Sequence, residues 1–464
     1  MRIIFGTLIV ILLASCTPGP NYVRPKTEVA QLWRVETGEG NQWVDIAWWE
    51  RFGDPALGEL IQEAVTANRD LKLATARVDQ FLGTLETSRS QFFPQVGFGV
   101  NATRQENTGA PFSTYQSALN VSWELDLWGR IRRATEAAQA QVFASEEARR
   151  AVLVSLVANV AGSNINLLGL DRQLEIARST EKSYAETLRI FRLRHQYGTV
   201  SGIELRQIES QHEEALLVIS NLKAQIAQQE NQLSILLGRN PGPINRGKAL
   251  DVLVPPPLPN MLPLTLLERR PDIRQAEFEL IAANARIGEA NALYFPTISL
   301  SGLLGRQSSE LADLFRQDRG IWSLGSNIAG PLITFGALSG QVKQAEAETK
   351  QAVIRYEQSI QQAFHEVEDA LVGAVKSQEQ LDAQRRKSVS LADYARLSRL
   401  KFDNGSVSYL QVLDAARSLF SAQLALVQAQ VDLLRSRIDL YRSFAGGWIA
   451  LVDSSSNSKK SAQN

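Results

Sequence analysis

Cysteine is almost absent from the 464-residue chain: Cys16 stands alone, accompanied by two methionines and three histidines. A single thiol closes no disulfide. His195, His212 and His365 are dispersed, with no cysteine ligand beside them, so no zinc site is expected. Charge of one sign is missing too. Lys plus Arg and Asp plus Glu are 49 each, so no global field draws nucleic acid or an acidic partner. There is no nucleophile elbow, since "GTVSG" has the wrong spacing. "GFGVNA", Gly97 to Ala102, imitates a dinucleotide fingerprint, but a helix would have to follow it directly, and Asn107, Gly109 and Pro111 follow instead. No acid, base or metal constellation converges. The expectation is a chain that is not an enzyme and carries no cofactor, with 44% hydrophobic residues as ample material for a core.

The start of the chain is specific. "MRIIFGTLIVILLASC" combines one arginine, an apolar run too short to span a bilayer, and Leu13-Ala14-Ser15-Cys16, the pattern of a bacterial signal peptide ending in a lipobox. An ordinary signal peptide with a chance cysteine is the alternative. Lipidation gives the lone thiol a reason, and several acyl chains at about 0.8 kcal/mol per buried methylene anchor stably. Thr17 follows where aspartate signals inner-membrane retention, which favours the outer membrane.

Laid against itself, the chain shows a duplication. "NRDLKLA" from Asn68 matches "RPDIRQA" from Arg270, Phe93-Pro94 matches Phe295-Pro296, and Arg104-Gln105 matches Arg306-Gln307, all at an offset of 202. Farther on, Trp128-Gly129 matches Phe335-Gly336, and "YGTVS" from Tyr197 matches "NGSVS" from Asn404, at an offset of 207. Each half reads helix, strand, loop, strand, very long helix, tight turn, second long helix.

The strands pair by parity. Val96, Phe98, Val100 and Ala102 alternate with Gln95, Gly97, Gly99 and Asn101; Leu119, Val121, Trp123 and Leu125 alternate with Asn120, Ser122 and Glu124. Ile298, Leu300, Trp322, Leu324, Ile328 and Leu332 repeat the oily face in the second half. Runs near ten residues joined by polar loops suit hairpins tilted across a bilayer. Phe93, Trp123, Trp128, Phe295 and Phe335 fall at one end, as interfacial aromatics do. A soluble hairpin with one buried face explains the alternation but not these aromatics. Four strands leave two open edges in lipid, and each unpaired backbone group there costs several kcal/mol. Copies must therefore share a barrel. Two would give eight strands, whose interior nearly fills, and three would give twelve with room for a channel; three is expected.

The long helices, from Gly129 to about Gln196 and from Gly336 to about Phe402, each span roughly 100 Å at 1.5 Å per residue. Each returns past Gly198 or Gly405 in a helix ending near Gly238 or Gly446-Gly447. The uncharged stretch Ala151 to Leu170 is long enough to cross a membrane, but its asparagines and its acidic repeat partner from Gln358 mark it as packed helix. The expected organisation is 1–15 signal peptide, 16–67 lipidated and equatorial segment, and 68–238 first repeat, with a strand hairpin at about 95–126 and a helical hairpin at about 129–238. A proline-rich equatorial linker follows at 239–269. Then come the second repeat at 270–446, with hairpins at about 297–333 and 336–446, and a tail at 447–464.

"CTPGPNYVRP", "WWERFGDPALGELI", "ERRPDIRQAEFELIAANARIGEANALYFPTISL" and "VLDAARSL" resemble the outer-membrane factor family of TolC-like channels, in its NodT and OprM lipoprotein branch. The resemblance covers nearly the whole mature chain. It implies an α+β membrane protein: a homotrimer whose twelve-stranded outer-membrane β-barrel continues into a periplasmic α-barrel of twelve helices with a mixed equatorial region. It also implies a passive exit duct of a tripartite efflux pump, joined by a periplasmic adaptor to an inner-membrane transporter, with outer-membrane lipid and a covalent lipid on Cys16. The family's constricting leucine and aspartate fall on Leu410 and Asp414, and a gate cation falls on Lys401, where some members carry arginine. Lysine keeps the charge and loses the bidentate fork. Gly198, Thr199, Val200 and Ser201, with Gly405, Ser406, Val407 and Ser408, match the adaptor-facing tips. Gln207 stands opposite Asp414, so one hairpin alone supplies the acid. Arg189, Arg192, Arg194 and Lys401 either face the adaptor or merely complement helix C-termini. The alternative to the duct is a periplasmic adaptor-type coiled-coil lipoprotein, which needs one helical hairpin and no lipid-facing strands.

Overall fold

The strand, strand, helix, helix order appears twice in the computed structural model of the chain, which describes residues 18–27, 32–34, 47–107, 110–258, 263–445 and 448–449. After α1 (Pro55–Ala67), the first repeat runs α2 (Arg69–Ser90), β1 (Gln95–Asn107), β2 (Ala110–Leu125), α3 (Arg130–Gln196) and α4 (Gly202–Leu236). The second runs α5 (Pro271–Ala292), β3 (Thr297–Ser308), β4 (Gly320–Ala329), α6 (Ala337–Asp403) and α7 (Tyr409–Phe444). Both α3 and α6 have 67 residues, the length the repeat requires. The leader and Cys16 lie outside the described residues.

The chain divides into two compact units. One combines the described parts of Met1–Thr27 with Thr75–Ala148 and Asp272–Ser359. Its sheet has the order β1-β2-β3-β4, all antiparallel, so the two hairpins lie side by side in chain order and leave β1 and β4 as edges. The register places every expected oily residue within the strands on one face: Val96 faces Val121, Phe98 faces Leu119, Trp123 faces Leu300, Leu304 faces Trp322 and Ile298 faces Ile328. That face is uncovered in a single chain, with Trp322 77% exposed. Leu332 does not belong to it. β4 stops at Ala329, because Gly330-Pro331 follows and proline cannot donate to a ladder, so the second strand hairpin ends four residues before the expected 333.

Small residues let the helices of this unit approach closely. Ala137 and Ala140 of α3 pack on Ala282 and Ala285 of α5, while Leu85 of α2 meets Ala138 and Val142. The N-terminal arm is pinned to α5: Arg24 donates Nε and Nη2 to Glu277 at 2.6 Å each, Tyr22 Oη donates to the same carboxylate at 3.0 Å, and Asn284 Nδ2 donates to the Pro20 carbonyl. Burial, with the Glu277 charge, pushes the Tyr22 phenol well above its usual range.

The second unit holds the described parts of Glu28–Ala74, Arg149–Pro271 and Ile360–Asn464. Its main core is aromatic. Trp48 is fully buried and stacks on Tyr441 at 5.8 Å, and Trp49 meets Trp448 edge-on at 5.3 Å. Trp448 therefore belongs to the core, and the tail begins later than 447. The uncharged stretch of α3 is also core here, with Leu153, Val157, Val160, Ala161, Ile165 and Leu167 buried among these rings, as the packed-helix reading expects. It is the one helix among the described residues apolar enough to cross a membrane by length and composition.

The duplication extends to atomic detail. Asn68 Nδ2 donates to the Leu236 carbonyl at the end of α4, and Arg270 Nη1 donates to the Ser443 carbonyl near the end of α7, so repeat-equivalent residues cap equivalent helices. Arg270 also pairs with Glu366 at 2.7 Å. The left-handed residues closing these helices are Gly238 (φ 73°) and, 207 positions on, Ala445 (φ 41°), so α7 ends beside Gly446-Gly447 as expected. A Cβ on Gly238 would lie 2.2 Å from the Ala67 carbonyl oxygen. Gly238→Ala therefore lowers the thermal stability of the detergent-solubilised protein. Ala445→Gly raises it by about 0.5–1 kcal/mol, because relief of roughly 1–2 kcal/mol of left-handed strain outweighs about 0.4–1 kcal/mol of unfolded-chain entropy.

Candidate functional site

Both helical hairpins turn in the same way. Gly198 (φ 70°) donates its N–H to the His195 carbonyl at 3.0 Å and Thr199 to Arg194 at 2.9 Å; Gly405 (φ 69°) donates to Phe402 at 2.8 Å and Ser406 to Lys401 at 2.9 Å. This crossed pair is a Schellman closure, and the left-handed residue inside it favours glycine. His195 adds a bond from Nδ1 to the Val200 carbonyl at 2.9 Å.

The helices that leave the turns differ. Ser201 caps α4 in a full capping box: its Oγ accepts from the Glu204 N–H, and its own N–H donates to the Glu204 carboxylate at 3.0 Å. Ser408 occupies the same place before α7, but its side chain makes no cap bond, and Gln411 stands where the glutamate would be. Val200 packs on the tip core between these ends, and Val407 is half-buried.

That tip core is the feature the sequence reading missed. Tyr184, Leu188, Phe191, Leu205 and Ile208 of the first hairpin pack on Tyr409, Val412 and Leu413 of the second. Tyr409, the first residue of α7, is the wedge, with its ring 4.2 Å from Phe191 and 5.1 Å from Phe402. Burial pushes its phenol above the usual range. A tyrosine directly after a serine cap was the available signal.

Leu410 and Asp414 lie one turn apart on α7, roughly 100–140° round the helix from this wedge, and both are solvent-exposed, Leu410 by 56%. The chain thus presents an apolar group and an acid together, on the helix start that has no side-chain cap. Asp414 is bonded by Arg417 of its own helix, Nη2 to Oδ1 at 3.1 Å. Lys401 is exposed and makes no ion pair among the described residues, so within one chain the acid's partner is Arg417 and not Lys401. Two of the tip arginines are already engaged: Arg189 pairs with Glu186 at 2.7 Å, holding that carboxyl below its usual range, and Arg192 reaches Glu209 at 3.4 Å.

At the helix-bearing end of the sheet, three of the five expected aromatics are held in place. Trp128 stacks on Phe295 at 4.8 Å and donates Nε1 to the Pro296 carbonyl at 2.7 Å, while Trp123 donates to the Phe92 carbonyl at 2.9 Å. Phe93 and Phe335 project into the surroundings, Phe335 97% exposed on a backbone with φ 46°.

A family model described as outer membrane efflux protein matches residues 60–239 and 262–446, the two repeats in turn. The probable outer membrane lipoprotein SilC of Salmonella typhimurium is 33% identical over 449 residues, covering 95% of this chain and 97% of its own length. The toluene efflux pump outer membrane protein TtgF of Pseudomonas putida is 35% identical over 474 residues, 98% of each. The solved open state of the MtrE outer membrane channel of Neisseria gonorrhoeae superposes with a TM-score of 0.86 at 32% identity, covering 93% of this chain and 99% of that one.

The unequal caps have a measurable consequence. Ser201→Ala costs the first tip about 1 kcal/mol, seen as faster hydrogen exchange over the first turn of α4. Ser408→Ala leaves exchange at the start of α7 nearly unchanged.

Proposed function

The chain belongs to the outer membrane efflux protein family, and on that premise we propose that three copies close one barrel and one tunnel that together conduct exported molecules through the outer membrane. The protein is the outer-membrane exit duct of an efflux pump. It supplies the passage, while the driving energy comes from the inner-membrane transporter to which a periplasmic adaptor couples it.

The observation that carries the trimer is the open sheet. β1 and β4 have unpaired outer edges, and the apolar face that spans all four strands is uncovered. In acyl chains such edges are untenable unless β4 of one copy pairs with β1 of the next. Three copies give twelve strands and a water-filled lumen lined by the opposite face, where Gly97, Asn101, Asn120, Ser122, Ser301 and Asn327 stand. An adaptor-type lipoprotein has no use for this sheet.

In the trimer, Leu410 and Asp414 of three α7 helices form an apolar ring and an acidic ring that shut the periplasmic mouth. The tips built on Gly198 to Ser201 and Gly405 to Ser408 receive the adaptor, which opens the mouth by binding the open form better than the closed one. Lys401 is free to reach a neighbouring copy or the adaptor. Trp123, Trp128 and Phe295, with Phe93 and Phe335, mark the periplasmic interface of the membrane. A covalent lipid on Cys16 anchors the arm whose residues 20–24 are pinned to α5.

Two measurements test this. Crosslinked outer-membrane fractions should contain a trimer; a chain that is a soluble monomer once the first sixteen residues are replaced by a cleavable leader overturns the barrel. Leu410→Ala combined with Asp414→Ala should raise single-channel conductance in planar bilayers several-fold, whereas unchanged conductance removes these two residues from the gate.

A further inference from the structure

The far end of the lipid-facing surface carries a device that neither the gate nor the trimer uses. Arg104 and Arg306 are repeat partners, 202 positions apart, and both point to the oily face: Arg104 follows Val96, Phe98, Val100 and Ala102 in parity, and Arg306 follows Ile298, Leu300 and Leu304. A cation on the lipid face is costly at mid-depth and tolerated at the border. Their depth follows from counting. Each lies eight residues from the first apolar residue of its strand, about 26 Å along the strand and about 20 Å of bilayer at a tilt of 35–45°, against an apolar band of about 25 Å.

Three observations place this border at the outer leaflet. The first turns of α3 and α6 leave the sheet at the end where Trp123, Trp128 and Phe295 lie, so the hairpin loops stand at the other end, the outer one in the barrel reading. Aromatics recur beside the arginines: Trp322 faces Leu304, in the outward row next to that of Arg306, and Tyr115 faces Ala102, in the row next to that of Arg104. The ladder also staggers equivalent positions. Arg306 is level with Val100, four residues short of Arg104, and such a shift between equivalent residues of adjacent hairpins is what tilted strands produce. Repeat-equivalent residues then stand at equal height, so three copies would present six guanidinium groups in one belt.

The loops carry as many acids as cations, Glu106, Glu310, Asp313 and Asp318 against Arg104, Arg306, Arg316 and Arg319, so anion recognition rests on the two guanidinium groups themselves and not on a net charge. The Arg104 side chain is exposed and has no hydrogen bond or ion pair among the described residues. Arg306 uses Nη1 on the carbonyls of Phe315 and Arg316, which fixes the group and leaves Nε and Nη2 without a partner among the described residues. Asp313 is held by Arg316 at 3.3 Å and Asp318 lies 3.9 Å from Arg319, while Glu106 stands one row beyond Arg104 and Glu310 lies just past the end of β3.

We propose that Arg104 and Arg306 form a binding site for phosphorylated lipid headgroups of the outer leaflet, the guanidinium fork taking a phosphate while Trp322 and Tyr115 lie along the upper acyl chains. This rests on the barrel reading above. A basic side chain at an anionic lipid surface gains roughly fivefold in partitioning, so two per copy predict an enrichment on the order of tenfold or more.

The test reconstitutes wild type, Arg104→Gln/Arg306→Gln and Arg104→Lys/Arg306→Lys in phosphatidylcholine vesicles containing a minor fraction of lipid A bisphosphate. Lipid retained by the extracted trimer is counted by native mass spectrometry. Wild type should retain lipid A on the order of tenfold above its share, the glutamine variant should fall to the bulk ratio, and the lysine variant should keep an intermediate enrichment. Equal enrichment in wild type and the glutamine variant overturns the site. Conductance in pure phosphatidylcholine bilayers separates the two readings: a wild type that conducts but enriches no lipid A overturns the arginine assignment alone. One that never inserts overturns the barrel, and this site with it.

Discussion

A backbone N–H or C=O that meets acyl chains has no water to bond, and the arrangement of this chain follows from that constraint. Four strands with an oily face cannot satisfy their own edges. The repeat supplies two hairpins per chain, which in the proposed barrel sets the number of copies needed for closure. It also sets the side-by-side hairpin order, since β2 and β3 must pair across a join of more than 170 residues. The aromatic core around Trp48, Tyr441 and Trp448 and the end-capping bonds of Asn68 and Arg270 then hold the entry and exit of each long helical hairpin, so that its tip has a defined base.

Much of this was legible in residue order. The offset of 202 to 207 predicts two long helices of matching length and equal turns, and both helices have 67 residues, because a duplicated segment reproduces its periodicities wherever the packing partner is duplicated too. Strand parity predicted the register face for every oily residue except Leu332, which follows a Gly-Pro pair that ends the ladder. Proline after glycine was the readable signal there, and the oily pattern overrode it.

What stayed hidden depends on distant partners. Trp448 looks like tail until Trp49, 399 residues earlier, provides a ring to pack against. Tyr409 looks like an ordinary first-turn residue until Phe191 comes within 4.2 Å. The Arg417 bond to Asp414 is open to a spacing argument, since i and i+3 meet on a helix, whereas Lys401 lies on the other side of the turn.

The two tips share a turn to within a degree at the glycine, yet only one begins its returning helix with reciprocal side-chain bonds, and the apolar and acidic pair sits on the other. Duplication gave the chain one stave fastened at its foot and one left unlaced. In the proposed ring of three, fastened and unlaced staves would alternate, and the apolar and acidic pair would recur only on the three unlaced ones.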